Sequence, residues 1–142
     1  MKYQLISTLR EHQIDQLLSL YKKEFWCNKR VKEDVEKMLK NSDIIVALED
    51  EGQKLIAFSR LLSDFTYKAT LYDVIVDSSY RGEKLGKKLM NAIFSHPDLK
   101  TIEQIELYCL PEMVSFYNRW GFTCELGELT LMRSSPNIVS EK

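Results

Sequence analysis

The stretch VIVDSSYRGEKLGKKLM, residues 74–90, joins an apolar run to a basic segment through a turn that contains glycine. The apolar run stops at Asp77, and Leu85, Leu89 and Ile93 then recur at helical spacing. A strand that leads into a helix through such a turn leaves the first helical N–H groups without backbone acceptors, at the positive end of the helix dipole. The stretch therefore predicts an anion site, of the kind that binds phosphate.

Two interpretations of this turn remain open on the residues alone. Gly82 and Gly86 either let a ligand approach the backbone or serve the geometry of the turn. Arg81, Lys84 and Lys87 either add charge to a ligand site or form a solvated basic face. The pattern matches neither GxxxxGK[ST] nor GxGxxG, so nucleotide hydrolysis and dinucleotide binding have little support.

The spacing of apolar residues elsewhere predicts an α/β (α+β) fold with a mixed, mainly antiparallel sheet of about six or seven strands and helices on both faces. Helices are predicted over residues 10–25, 31–41 and 85–95 and from Pro111 onward. Strands are predicted over residues 3–7, 43–50, 54–63, 69–77 and 102–110, with a last hairpin from residues 122–126 and 128–134. One domain is expected over residues 1–142, with a frayed tail from about residue 134.

Composition excludes several classes of protein. A net charge of −1 argues against non-specific nucleic-acid binding. The sequence has neither a long apolar run nor the apolar core of a signal peptide, which predicts a cytoplasmic protein without a membrane partner. Cys27, Cys109 and Cys124 are an odd number without CxxC spacing, so free thiols and no bound metal are expected.

Two motifs resemble those of the GNAT superfamily of N-acetyltransferases. The run FSRLLSD, residues 58–64, ahead of DVIVDSSYRG, residues 73–82, adds a closer likeness to small bacterial members of unassigned substrate. Residues 81–90, RGEKLGKKLM, resemble the acyl-CoA-binding motif (R/Q)-x-x-G-x-(G/A): Arg81 and Gly86 fit it, but Lys84 stands at the usual glycine. Residues 110–122, LPEMVSFYNRWGF, resemble the later signature, with Tyr117 at its tyrosine and Leu110 in place of the usual Asn.

This resemblance implies an enzyme that uses acetyl-CoA as co-substrate and acetylates a primary amine of a small molecule or peptide by direct attack. In the family the cofactor lies where the fourth and fifth strands splay apart. Tyr117 would be the general acid, and a backbone N–H near Val76 would stabilise the oxyanion. The implied cofactor-binding residues are Val74, Ile75 and Val76 on the strand edge, and Arg81, Gly82, Lys84, Leu85, Gly86 and Lys87 around the pyrophosphate.

Several roles stay open at this level. Asp73, inside an apolar strand, is either the general base or a structural ion paired with Arg60 or Lys68. Tyr117 has a plain alternative as a core aromatic residue. Trp26 either lines an acceptor pocket or is a hydrophobic anchor.

Two further expectations concern the protein as a whole. The departures at Lys84 and Leu110 keep a non-catalytic acyl-CoA-binding sensor as the alternative function. By analogy with relatives, a homodimer would form through the late segment 128–134, whose residues are apolar enough to pair.

Overall fold

The computed structural model describes residues 2–139, and its side chains up to Asn137. These residues fall into two compact units, one ending at Tyr108 and one beginning at Cys109. The helices and strands of the first unit are β1 (Tyr3–Ile6), α1 (Glu11–Lys22), α2 (Lys32–Lys40), β2 (Ile44–Ile45), β3 (Ala47–Asp50), β4 (Leu55–Ser63), β5 (Lys68–Val76), α3 (Leu85–Ser95) and β6 (Gln104–Leu107). The second unit contains a 3₁₀ turn (Pro111–Met113), α4 (Val114–Asn118) and α5 (Pro136–Val139).

The first unit is built on a six-stranded sheet with the order β1-β3-β4-β5-β6, and β2 pairs with β4 beside β3. All its pairings are antiparallel except that of β5 with β6, which is parallel. The predicted fold class, a mixed and mainly antiparallel sheet with helices, is therefore confirmed. The predicted strand 43–50 is split at Val46, although the backbone of Val46 still bonds to Ser59 of β4.

The helices cover the sheet through apolar faces that the sequence pattern predicted. Leu17 and Tyr21 of α1 and Val35 of α2 form one buried cluster with Phe58 of β4 and Ile75 of β5. Helix α3 packs against β4 and β5, and its buried residues are Leu85, Leu89, Met90 and Ile93. Burial of these side chains, rather than helix propensity, holds such short helices in place.

Strand β5 extends beyond the end of its neighbour β6. The two strands pair from Lys68 opposite Gln104 to Leu71 opposite Leu107. Beyond Leu71, β5 continues to Val76 along β4 alone, and no strand among the described residues pairs with its other side. This leaves an open strand edge next to the turn that leads into α3.

A bulge lies within that open stretch. Phe58 pairs with Ile75 and Arg60 with Tyr72, so both Asp73 and Val74 stand opposite Ser59. The Ser59 N–H donates to Val46 O (3.0 Å), away from β5. Asp73 has φ +57°, a left-handed conformation that is uncommon for any residue except glycine.

The predicted last hairpin is wrong. Residues 122–126 and 128–134 lie in the described part of the chain and contain no strand. Leu129 is 78% exposed and Met132 is 88% exposed, so these side chains enter no core formed by the described residues. An isolated two-stranded hairpin is only marginally stable in water, which is the physical reason that the apolar pattern alone misled.

Within residues 2–139, every helix is too short or too polar to span a membrane. No group of three or more His, Cys, Asp or Glu side chains in this range is arranged to hold a metal ion. The assignment of residues 1–142 to one domain stays a prediction, and the end of the predicted frayed tail lies outside the described residues.

Candidate functional site

The turn between β5 and α3 is anchored at its start by Asp77. Its buried carboxylate accepts a hydrogen bond from the Ser79 N–H (2.9 Å) and lies 3.6 Å from the Lys54 ammonium. Burial pushes the pKa of Asp77 up, but the Ser79 N–H and the Lys54 charge outweigh it and hold the pKa below its usual range. A 3₁₀ turn, Ser78–Tyr80, follows, and the Tyr80 hydroxyl donates to Asp50 (3.2 Å).

The backbone of this turn is left-handed at two positions. Gly82 has φ +100°, where glycine has no side chain to clash. Lys84, which caps α3, has φ +61° and ψ +29°. The family motif usually has glycine at this second position, and the structure gives the reason: the backbone there is in a conformation that disfavours a side chain. Lys84 therefore keeps its cation at a cost in backbone strain.

The first turn of α3 is open to an anion. Its first intrahelical bond runs from the Lys88 N–H to Lys84 O (3.1 Å), and no side chain caps the helix. The N–H groups of Leu85, Gly86 and Lys87 therefore have no intrahelical acceptor, as at any helix start. Helices α1 and α2 carry acidic residues in their first turns, whereas α3 carries none and has lysines there instead. Positive side chains at the positive end of a helix dipole are favourable only with a counter-anion.

The side chain of Arg81 is already paired. Its guanidinium lies 3.3 Å from Glu24, which follows α1. On the other flank of the turn, the Tyr3 hydroxyl of β1 donates to the Glu83 carboxylate, and the Lys88 ammonium lies 4.9 Å from the centre of the Tyr3 ring. These contacts tie the turn to β1 and to the segment after α1.

Val74 and Val76 present their backbone N–H groups to the open edge of β5. The Asp77 N–H donates to Ile56 O of β4 (2.8 Å), and in an antiparallel pair such bonds alternate along the strand. Ile75 therefore bonds toward β4, and its side chain is buried in the core cluster. Of the three predicted edge residues, Val74 and Val76 have the orientation that a ligand on the edge requires.

Asp73 anchors a polar cluster beside the bulge. Its Oδ2 accepts hydrogen bonds from Arg30 Nη1 (2.7 Å), Arg60 Nε (2.8 Å) and the Tyr21 hydroxyl (2.9 Å). The Asp73 side chain is only 4% exposed. The structural ion pair with Arg60 that the sequence left open is thus present, whereas Lys68 pairs with Glu106 instead (3.3 Å).

The electrostatics of this cluster make Asp73 a weak base. Burial raises the pKa of Asp73, but hydrogen bonds and charge from Arg30 and Arg60 outweigh it and leave the pKa below its usual range. Burial and the adjacent carboxylate raise the pKa of the Tyr21 hydroxyl, which therefore stays protonated. The general-base role of Asp73 stays a prediction, and this geometry favours the anchoring role.

Sequence reasoning missed Tyr21 and Arg30 as members of the site. Tyr21 lies in the apolar stripe of α1, which made it look like a core residue, and its ring is indeed buried. Arg30 lies in the irregular segment between α1 and α2 and folds back over that ring, 4.7 Å from its centre. An unpaired acidic residue in the middle of an apolar strand was the only available signal that cations must come from elsewhere.

Trp26 lies at the rim of the same cluster. Its side chain is 44% exposed, and its ring centre is 5.7 Å from the Arg30 guanidinium carbon. A ring that is half in solvent beside a cation is not a buried hydrophobic anchor, and its place in an acceptor pocket stays a prediction.

Tyr117 lies in the second unit, on α4. It is 7% exposed, and its ring makes edge contacts with Phe116 (5.0 Å between ring centres) and Phe122 (6.0 Å). Burial, with a contribution from Cys109, raises the pKa of Tyr117 to about 12. The hydroxyl has no hydrogen-bond partner among residues 2–139, so this proton is available to a ligand.

Cys109 is a free and exposed thiol, as is Cys124. Burial of its sulfur, together with Cys124 and Glu112, raises the pKa of Cys109. A thiol with a raised pKa is a poor nucleophile, because the thiolate is the reactive form. The prediction that Cys109 is a free thiol is confirmed.

Comparison with known proteins gives consistent matches. The family described as Acetyltransferase (GNAT) domain matches residues 40–124. The protein named uncharacterized N-acetyltransferase ycf52 from Pyropia yezoensis is 34% identical over 113 residues, which cover 74% of this chain and 65% of that protein. A ycf52-like N-acetyltransferase from Prochlorococcus marinus is 32% identical over 124 residues, 85% of this chain and 68% of that protein.

The fold also matches solved structures. A structure assigned to the GNAT family from Xanthomonas campestris pv. campestris superposes with a TM-score of 0.78 at 28% identity, and the match covers 96% of this chain and 97% of that one. The chain spans 65% of the length of its Pyropia yezoensis relative, slightly less than two thirds.

Proposed function

Because the chain belongs to the GNAT family of acetyltransferases, we propose that it transfers the acetyl group of acetyl-CoA to a primary amine of a small molecule or peptide. The observation that carries this proposal is the continuity of the open edge of β5 with the uncapped start of α3. One stretch of chain thus offers edge amides at Val74 and Val76 and then an anion site, which suits a ligand with an amide-containing arm and a pyrophosphate.

The residues of this stretch would contact the pyrophosphate of acetyl-CoA in different ways. The N–H groups of Leu85, Gly86 and Lys87 would hold the pyrophosphate, and the charges of Lys84 and Lys87 would add to the helix dipole. Gly82 gives the turn its left-handed corner. Arg81 would reach a phosphate only by exchanging Glu24 for it, so its side chain contributes less than its position in the motif suggests.

When bound, acetyl-CoA supplies an activated thioester. The edge N–H group of Val76 would donate to the acetyl oxygen, where negative charge develops. The Tyr117 hydroxyl would donate to the sulfur that leaves. With the pKa of Tyr117 at about 12, full proton transfer to a thiolate of ordinary pKa near 8.5 is uphill by about 5 kcal/mol. Tyr117 therefore acts first as a hydrogen-bond donor, and its proton follows as the thiolate develops.

The first experiment is calorimetric titration of acetyl-CoA into the protein and into Gly86→Glu. Gly86 is half-buried in the first turn of α3, where a carboxylate would repel the pyrophosphate. Ser95→Glu is the matched control, because it adds the same charge at the exposed far end of the same helix. We expect micromolar binding that is lost in Gly86→Glu and kept in Ser95→Glu. Absence of binding at millimolar acetyl-CoA overturns the proposal.

A non-catalytic acyl-CoA sensor is the second candidate, favoured by Lys84 at the strained glycine position. An assay that measures thiol release from acetyl-CoA with each of a panel of primary amines separates the enzyme from the sensor. Turnover of any amine supports the enzyme, while tight acetyl-CoA binding without turnover across the panel supports the sensor. A cytoplasmic location and a homodimer stay predictions.

A further inference from the structure

We propose that the amine acceptor carries an anionic group, a carboxylate or a phosphate, and that Arg30 and Arg60 bind this group. The inference rests on the proposed function and names the class of its second substrate. It is carried by the cluster of Arg30, Arg60 and Asp73 at the bulge of β5.

The cluster has an excess of positive charge. Two guanidinium groups share one carboxylate, so the three side chains carry a net charge of +1. The Arg60 side chain is 13% exposed and that of Arg30 is 31% exposed, which places this charge largely out of water. Glu24, whose charge acts on the neighbouring Cys27, is paired with Arg81. A half-buried excess cation is expensive unless an anion joins it.

Most of the donors of the cluster are unused. Arg30 Nη1 and Arg60 Nε both bond to the same atom, Asp73 Oδ2. Arg30 also lies 3.8 Å from the sulfur of Met38. Each guanidinium has five N–H groups, and within residues 2–139 neither makes a further hydrogen bond. These remaining N–H groups form planar forks of the kind that bind carboxylate and phosphate.

The cluster lies where the acyl end of the cofactor would point. The anion site follows β5 at its carboxyl end, so a ligand held there by its pyrophosphate extends backward along the open edge from Val76 toward Asp73. Asp73 and Asp77 are about 13 Å apart at the usual strand rise of about 3.3 Å per residue. An acceptor that reaches the acyl group therefore meets Arg30, Arg60 and the half-exposed ring of Trp26.

The backbone at this point is also held in a strained state. Asp73 is a residue other than glycine with φ +57°, inside a strand, and three side chains hold its carboxylate there. Strain of this kind persists where the surrounding structure enforces it and clusters at functional sites. The same cations repel a second ammonium group, so acceptors with extra positive charge, such as diamines, are disfavoured.

The test compares matched pairs of amines that differ in one anionic group: phenylalanine with phenethylamine, and O-phosphoethanolamine with ethanolamine. Each is titrated without acetyl-CoA, and binding is followed by the indole NMR signal of Trp26, assigned with Trp26→Phe. The same pairs are then compared as acceptors by kcat/KM. The variants are Arg30→Gln and, as control, Lys29→Gln, which removes the same charge from the neighbouring exposed residue.

We expect at least one anionic amine to bind and react about tenfold better than the matched amine that lacks the anionic group. The pair that shows this advantage identifies the group as a carboxylate or a phosphate. Arg30→Gln should abolish this advantage and Lys29→Gln should keep it. Arg30→Lys, which keeps the charge but not the fork, should retain part of it and covers the case in which Arg30→Gln fails to fold.

The two proposals fail separately. Equal binding within both pairs, or an advantage that survives in Arg30→Gln, overturns the anionic acceptor even if acetyl-CoA binds and amines are acetylated. An Arg30-dependent advantage without any acetyl-CoA binding keeps the anion subsite and overturns the acetyltransferase.

Discussion

Tyr117 and Asp73 are both nearly buried, yet their surroundings act on them in opposite ways. Tyr117 is enclosed by aromatic rings and no described residue bonds to its hydroxyl, so burial, with a smaller contribution from Cys109, raises its pKa. Asp73 is surrounded by donors, and two cations reverse the effect of its burial. At neutral pH, the Tyr117 hydroxyl is therefore protonated and can donate a hydrogen bond, whereas the Asp73 carboxylate is ionised.

Replacing Tyr117 with Phe should lower kcat for acetyl transfer by roughly 10²-fold or more, the range of general acid catalysis. The melting temperature should hardly change, because the lost hydroxyl has no partner among the described residues. Thiol-release assays measure kcat, and thermal melts measure the melting temperature. Tyr67→Phe, in the exposed turn before β5, is the control. An unchanged kcat in Tyr117→Phe would reduce Tyr117 to a core aromatic residue.

Replacing Asp73 with Asn should lower the free energy of unfolding at pH 7 by about 2–4 kcal/mol, since it leaves two half-buried cations without their anion. Asn tolerates the left-handed backbone, so the loss reports the charge. The folded-state pKa of Asp73 is lowered, so its contribution is present above about pH 4 and is lost as the pH falls through the folded-state value.

Urea unfolding of the protein and of Asp73→Asn between pH 7 and pH 3 measures this difference. The two curves should converge in acid. A gap that stays constant down to pH 3 would mean that the charge of Asp73 does not stabilise the fold. A pH profile of kcat/KM adds a test of the base role. A fall in kcat/KM on the acidic side of the profile that disappears in Asp73→Asn would support Asp73 as the base.

At the scale of elements, the start of α3 shows what a motif position means physically. The glycine that the family usually has at position 84 is explained by φ +61°, which sequence alone did not reveal. A lysine at this position either crowds a bound pyrophosphate or adds a cation to it. Two substitutions separate backbone strain, charge and crowding.

Lys84→Gly should raise the free energy of unfolding by up to about 1 kcal/mol, because relief of left-handed strain exceeds the entropic cost of glycine. Lys84→Ala keeps the strain and should leave stability unchanged. Both variants should weaken acetyl-CoA binding roughly three- to tenfold, the effect of one exposed charge. Chemical unfolding and calorimetry measure the two effects. Tighter binding in both variants would show that Lys84 crowds the ligand.

The elements themselves were largely predictable from the sequence, and the bulge was not. Apolar spacing placed α1, α2, α3 and the strands within a few residues of their observed bounds, because one buried face repeats at the period of each element. The bulge at Asp73 depends on the register of β5 against β4, which no local pattern encodes. Tyr21 and Arg30 were missed for the same reason, since they meet Asp73 only through that register.

For the whole molecule, the two compact units differ in how far their secondary structure follows from the sequence. The first unit was anticipated because it contains its own core. In the second, alternating apolar residues from Glu128 to Met132 suggested strands, yet the segment is exposed and has no strand. A β pattern predicts a strand only where another strand and a core are available to it.

Acetyl-CoA should stabilise the whole protein against heat. At 100 times its dissociation constant, a ligand that binds only the folded state adds about 2.7 kcal/mol, or roughly 8–10 °C for a domain of this size. Differential scanning fluorimetry measures the shift, and ATP at the same concentration is the control for phosphate alone. An equal shift with ATP would point to a general phosphate site instead of a site for the complete cofactor.

The unpaired side of β5 also affects how the chain behaves before any ligand arrives. A row of free N–H and C=O groups along a strand edge is a template on which a strand of another chain can add. At Asp73 and Val74 the regular repeat is broken, and the left-handed φ of Asp73 turns the backbone away from the flat geometry that an incoming strand needs. The same irregularity that assembles the cation cluster therefore protects an exposed edge from edge-to-edge aggregation.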